Sequence, residues 1–105
     1  MEGYCVTCVF EMKPEIVGEM KGIIDSVYEK SLQENGCLEY RWYQSEMNPA
    51  DFLLFMTWES KEDFQEHVRS EHVSAVEEKL KVMLRKPYQD LGWRFLPVKE
   101  TIICC

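Results

Sequence analysis

Basic residues are in short supply. Twelve Lys plus Arg face nineteen Asp plus Glu, giving a formal net charge of −7 over 105 residues. That deficit argues against nucleic acid or an anionic membrane as the main partner, because both select a basic surface. No apolar run approaches the ~20 residues of a bilayer span. Met1-Glu2-Gly3-Tyr4 carries no basic segment leading into an apolar stretch, so no secretory signal is read and a cytoplasmic address is expected. Internal repeats, low-complexity tracts and linkers are also missing. One domain over residues 1–105 is expected, with its core over about 4–98 and a short tail behind it.

The five cysteines form no metal or redox motif. Cys5 and Cys8 are three apart in a strand-like stretch, where odd separations point to opposite faces. They are poorly placed to pinch a metal or close a disulfide, and no helix starts there to activate a thiol. Cys37 stands alone, and Cys104-Cys105 is a vicinal pair in the tail. Neither a metal nor a cofactor is therefore expected.

What the chain does have is pattern. Tyr4–Glu11 alternates but is apolar on both phases, which reads as a strand with both faces covered. Pro14 suits the first turn of a helix, and Ile16, Met20, Ile23 and Val27 form one stripe that Ile24, Tyr28 and Leu32 widen. Asn35-Gly36 ends that helix. Cys37–Ser45 is a second strand, with Leu38, Tyr40 and Trp42 on one face and Glu39, Arg41 and Tyr43 on the other. A turn over 47–51 returns the chain as a hairpin through Phe52–Glu59, again apolar on both phases. Ser60 with Asp63 caps a short helix through Arg69. After a break at Ser70-Glu71, a helix carries Val73, Val76, Leu80 and Met83 on one stripe, and Trp93–Val98 reads as a last strand.

The order is β-α-β-β-α-β with the second helical region broken in two. It predicts an α+β fold of ferredoxin-like type, an antiparallel sheet with helices on one face. Two strands are nevertheless apolar on both faces, and a lone protomer would leave that surface in water. A homodimer, sheet on sheet through the face of Phe55 and Tyr43, is the expected remedy.

Three stretches also resemble a known family. Gly36-Cys37-Leu38-Glu39-Tyr40, Trp58-Glu59-Ser60 and His67-Val68-Arg69-Ser70-Glu71-His72 are similar to the Gly-Cys-Leu-x-Tyr, Trp-Glu-Ser and His-x-x-Ser-x-His runs of the antibiotic-biosynthesis monooxygenases. The likeness runs in order over residues 4 to 97. It implies a dimeric α+β barrel and, among its members, cofactor-free oxygenases of quinols and polyketide phenols. Relatives degrade haem, isomerise a signalling sugar phosphate, or serve as stress-response proteins, so the fold alone does not fix the function.

The candidate chemistry rests on few residues. His67 and His72 are the sole histidines, and an imidazole near neutral pKa can take a proton from a phenol. Both are expected as catalytic residues, His67 ahead of His72 because it is read as mid-helix on the inward stripe. Trp58, Tyr40, Trp42, Met56 and Phe64 are expected to form an apolar wall that holds an aromatic substrate. The competing reading makes that wall plain core and the histidines helix-end caps.

Two departures from the family pattern matter. Met56 stands where many members carry an acid that orients the histidine, so the expected orienting group is a backbone carbonyl or a tyrosine hydroxyl. The first strand has no Asn, His67 takes the tryptophan position of the haem-degrading branch, and Val73–Leu84 contains no His. Haem degradation is therefore not expected. The favoured activity is oxygenation of a small quinol- or phenol-like substrate. The alternatives are a non-catalytic barrel that binds a small ligand and an isomerase of a sugar or keto-acid phosphate.

Overall fold

A computed structural model describes residues 3–95. Four strands and three helices follow the chain: β1 Tyr4–Glu11, α1 Met20–Leu32, β2 Cys37–Gln44, β3 Asp51–Trp58, α2 Lys61–Val68, α3 Glu71–Met83 and β4 Leu91–Arg94. The strands form one antiparallel sheet in the order β2-β3-β1-β4. This is the ferredoxin-like α+β topology. The last strand, Leu91–Arg94, begins two residues before the expected Trp93 and has ended by Phe95, while residues 96–98 and the Cys104-Cys105 pair lie outside the described residues.

Alternation decides which face is which. Val6, Cys8 and Phe10 of β1 and Phe52, Leu54, Met56 and Trp58 of β3 are buried under the helices. Met20, Ile23 and Val27 of α1 and Val76, Leu80 and Met83 of α3 meet them from above. On the opposite face, Val9, Tyr43, Leu91 and Trp93 are each more than two-fifths exposed, beside half-covered Leu53 and Phe55. The Trp93 indole donates to the Thr7 hydroxyl on that face at 2.8 Å.

Three local expectations change. Pro14 opens a 3₁₀ segment, Pro14–Glu19, rather than α1 itself, because Ile16 leaves helical geometry at φ −119° and ψ 15°. Leu38 does not share the Tyr40 face. The register shifts between Cys37 and Glu39, and this bulge turns Leu38, 53% exposed, out beside Thr57 and Gly3. His67 lies in the last turn of α2, not mid-helix, although it is inward-facing and 4% exposed.

Glycine matters most at Gly36, where φ is +83°. A Cβ there would collide with the Asp63 side chain. Asp63 and Ser60 cap α2 reciprocally: the Asp63 amide donates to Ser60 Oγ at 3.1 Å, and the Ser60 hydroxyl donates to Asp63 Oδ2 at 3.0 Å. The Glu59 amide also donates to the Gly36 carbonyl at 2.8 Å. The end of α1 and the start of α2 are thus fastened at one point. Gly36→Ala is expected to lower stability by about 2 kcal/mol, from left-handed strain plus displacement of the cap. Thermal unfolding checks this, and an unchanged midpoint would contradict it.

Candidate functional site

Three polar side chains meet where α1 ends and α2 gives way to α3. Glu34 sits just past α1, held where its own amide donates to the Ser31 carbonyl at 3.2 Å. Ser70 makes the break between the helices: its hydroxyl donates to the His67 carbonyl at 2.7 Å and accepts from the Val73 amide at 3.4 Å. That cap starts α3 at an angle that folds His72 back toward His67, their ring centroids 6.0 Å apart. One carboxylate oxygen, Glu34 Oε2, then lies 2.7 Å from His67 Nδ1 and 2.8 Å from His72 Nε2. In neutral imidazoles these nitrogens carry the protons and donate to it.

The surroundings are dry and aromatic. The side chains of His67, His72 and Glu34 are 5%, 13% and 18% exposed. His67 packs on Trp58 at 4.8 Å between centroids, with Tyr40 and Phe64 at 5.9 and 6.2 Å. Burial lowers the His67 pKa from its usual value, and the Glu34 carboxylate opposes the shift without cancelling it. Burial likewise pushes the Tyr40 phenol up to about 12, so it stays protonated.

A narrow apolar cleft, with about 50 Å³ that the centre of a water-sized molecule can reach, lies between the covered sheet face and the helices. Four of the five expected wall residues line it: Tyr40, Trp42, Met56 and Phe64. Trp58 does not, since it is fully buried behind His67. Of the two histidines, His67 lines the cleft and His72 stands outside it. The far end is acidic. There the Cys8 thiol donates to Asp90 Oδ1 at 2.6 Å and the Tyr88 hydroxyl to Glu77 Oε2 at 2.8 Å.

The orienting group differs from expectation: it is a carboxylate, Glu34, rather than a carbonyl or a tyrosine hydroxyl. Sequence reasoning passed over Glu34 because it lies 33 residues before His67, in a segment that reads only as a helix stop. A clue was present: an acid at a helix end whose following Gly36 enters the strand that pairs with Trp58. An imidazole with one nitrogen fixed by a carboxylate can act as an oriented base through the other. Two imidazoles and a carboxylate on one point can also take a metal ion.

The family model described as antibiotic biosynthesis monooxygenase matches residues 3–79. An uncharacterized protein of Synechocystis is 27% identical over 77 residues, covering 73% of this chain and 52% of its own length. The chain thus spans about half of that curated relative. The structure of a conserved protein from Methanosarcina mazei superposes with a TM-score of 0.83 at 28% identity, over 89% of this chain and 92% of that one. A crystal structure of an antibiotic biosynthesis monooxygenase gives 0.85 at 20% identity, over 90% and 99%. At that identity the likeness speaks for the fold alone.

The acidic end of the cleft makes a chemical prediction. Burial first, then the Asp90 carboxylate beside it, pushes the Cys8 thiol pKa far up, and the thiolate is the reactive form. Cys8 is expected to stay unmodified by iodoacetamide in the native protein at about pH 8 and to react after denaturation. Peptide mass spectrometry reads this. Equal labelling in both states would contradict the burial and the hydrogen bond.

Proposed function

This chain belongs to the antibiotic biosynthesis monooxygenase family, and from that premise we propose that it oxygenates a small quinol- or phenol-like substrate without a cofactor. The observation that carries the reading is His67: it lines the apolar cleft while Glu34 holds its Nδ1 at 2.7 Å. A ring nitrogen fixed in this way leaves Nε2 to accept a proton, and the lowered pKa keeps the imidazole neutral near pH 7.

The chemistry asks little more of the protein. His67 Nε2 takes the phenolic proton, and the electron-rich anion itself supplies the electrons that reduce oxygen. One oxygen atom joins a ring carbon, the other leaves as water, and a quinol ends as a hydroxyquinone. Tyr40, Trp42, Met56 and Phe64 would hold the ring and exclude water, while Trp58 and Phe64 keep the imidazole from turning. His72 takes a supporting part, sharing the Glu34 oxygen that orients His67.

Two other readings fare differently. An isomerase of a phosphorylated substrate would want cations in the cleft. The lining contains no Lys or Arg among the described residues, and its charged members are Glu77 and Asp90. A non-catalytic small-ligand binder keeps more support, because His67 is packed by three aromatic rings as a core histidine would be.

Oxygen uptake with a panel of hydroquinones and naphthols separates them. Turnover is expected for the wild type, with a loss of about 100-fold or more in His67→Ala and a smaller one in Glu34→Gln. Saturable quenching of tryptophan by the same compounds without oxygen uptake would instead establish a binder.

The assembly belongs to the same proposal. Val9, Tyr43, Leu53, Phe55, Leu91 and Trp93 give one sheet face an apolar surface, and a second copy, sheet on sheet, would cover it. Light scattering is expected to return twice the 12.5 kDa protomer mass, and Phe55→Glu to halve it. A wild-type monomer at micromolar concentration would overturn the dimer. No helix among the described residues is long and apolar enough to cross a membrane, in keeping with the cytoplasmic location we also propose.

A further inference from the structure

We propose that Glu34, His67 and His72 form a binding site for a zinc-class divalent cation, taken up at the nitrogens that now face the carboxylate. Their three ligand atoms all lie within 4.8 Å of one another. They come from three separate segments, so the fold assembles the cluster. Two imidazoles and one carboxylate, with a further position open, are a donor set that suits zinc, cobalt and nickel. Calcium and magnesium want oxygen ligands and are poorly matched.

The geometry is close to what such a cation needs. Metal–ligand bonds near 2.1 Å place tetrahedral donors about 3.4 Å apart. Glu34 Oε2 now sits nearer, at 2.7 Å from His67 Nδ1 and 2.8 Å from His72 Nε2. The carboxylate therefore has to withdraw by about half an ångström or a little more, and the two imidazole nitrogens, up to 4.8 Å apart, have to close toward that same spacing. His67 is held by its aromatic neighbours, so the closing movement falls on the His72 side chain at the start of α3. The side chains are buried enough to limit competing water yet not sealed, since His72 and Glu34 keep 13% and 18% exposure.

Proton accounting fixes the consequence. In neutral rings the two N–H protons point at Glu34. A cation there takes those nitrogen lone pairs, so the proton of His67 moves from Nδ1 to Nε2 and that of His72 from Nε2 to Nδ1. No electron changes hands, and no proton is released from neutral rings. His67 Nε2 then donates instead of accepting. The cation would silence the base, and this last clause alone rests on the oxygenase reading above.

The test titrates cobalt(II) and zinc into the full chain, free of any histidine tag, with Cys104→Ser and Cys105→Ser removing the tail thiols. Trp58, 4.8 Å from His67, reports cobalt binding by quenching. One saturable equivalent is expected, with the visible bands of a low-symmetry cobalt site and without the strong near-ultraviolet band of a cobalt–thiolate bond. His72→Ala and Glu34→Gln should each weaken binding at least about tenfold, and His72→Gln serves if the alanine variant does not fold. Binding of equal strength in these variants, a thiolate band, or no saturation below millimolar cobalt would overturn the site. The titration needs no substrate, so its result stands whatever the oxygen-uptake experiment returns. Where both hold, one equivalent of zinc should stop uptake and a chelator restore it.

Discussion

The Glu34 carboxylate is the point on which this architecture turns. One oxygen receives two imidazole nitrogens, and each belongs to a different helix. A buried imidazole N–H without a partner is costly, of the order of 1–3 kcal/mol, and a buried carboxylate more so. The shared bond of both rings to Glu34 forms only when the end of α1, the last turn of α2 and the first turn of α3 stand in register, although His72 Nε2 also lies 3.4 Å from Ser70 Oγ. The polar cluster therefore specifies an arrangement that hydrophobic packing alone would leave adjustable. The surrounding caps serve the same end: Ser60 with Asp63 starts α2, Ser70 starts α3, and Gly36 lets the chain turn tightly against that first cap.

Much of this was legible in the sequence because it follows from short-range rules. Period-two alternation located the strands, stripes at three and four located α1 and α3, and the Ser60–Asp63 spacing located the start of α2. The doubly apolar reading of Phe52–Trp58 correctly anticipated a sheet face left partly open on the described chain. What escaped depended on backbone irregularity or on distance. Leu38 changes face through a bulge, and alternation carries no signal of a bulge. Pro14 sets φ but does not commit the next residues to an α-helix, and Ile16 broke the run.

The candidate site was half legible for the same reason. A motif with its two histidines five residues apart can be seen in one chain, and Tyr40, Trp42, Met56 and Phe64 follow once the covered face is known. Glu34 cannot be read from local pattern, since only the pairing of Cys37 with Trp58 carries the loop after α1 to the helix after β3. Trp58 was misplaced in depth rather than in direction. It faces the helices as alternation requires, but His67 covers it, so a residue read as pocket wall is backing for the imidazole instead.

The two ends of the cleft impose different conditions on whatever enters it. At one end stands an imidazole whose second nitrogen is committed to Glu34. At the other, Asp90 and Glu77 are each engaged by a donor from the protein itself, the Cys8 thiol and the Tyr88 hydroxyl. Between them the lining is aliphatic and aromatic. An anionic head would meet carboxylates with no cation to offset them and pay desolvation as well. On the reading proposed above, a neutral hydroxyl-bearing ring would meet an acceptor at the imidazole and apolar walls along its faces. The lining thus disfavours an anion through the lack of Lys and Arg among the described residues as much as through the groups present. Polar chemistry on this side of the sheet is confined, among the described residues, to two places, the Glu34 cluster and the Asp90–Glu77 end of the cleft.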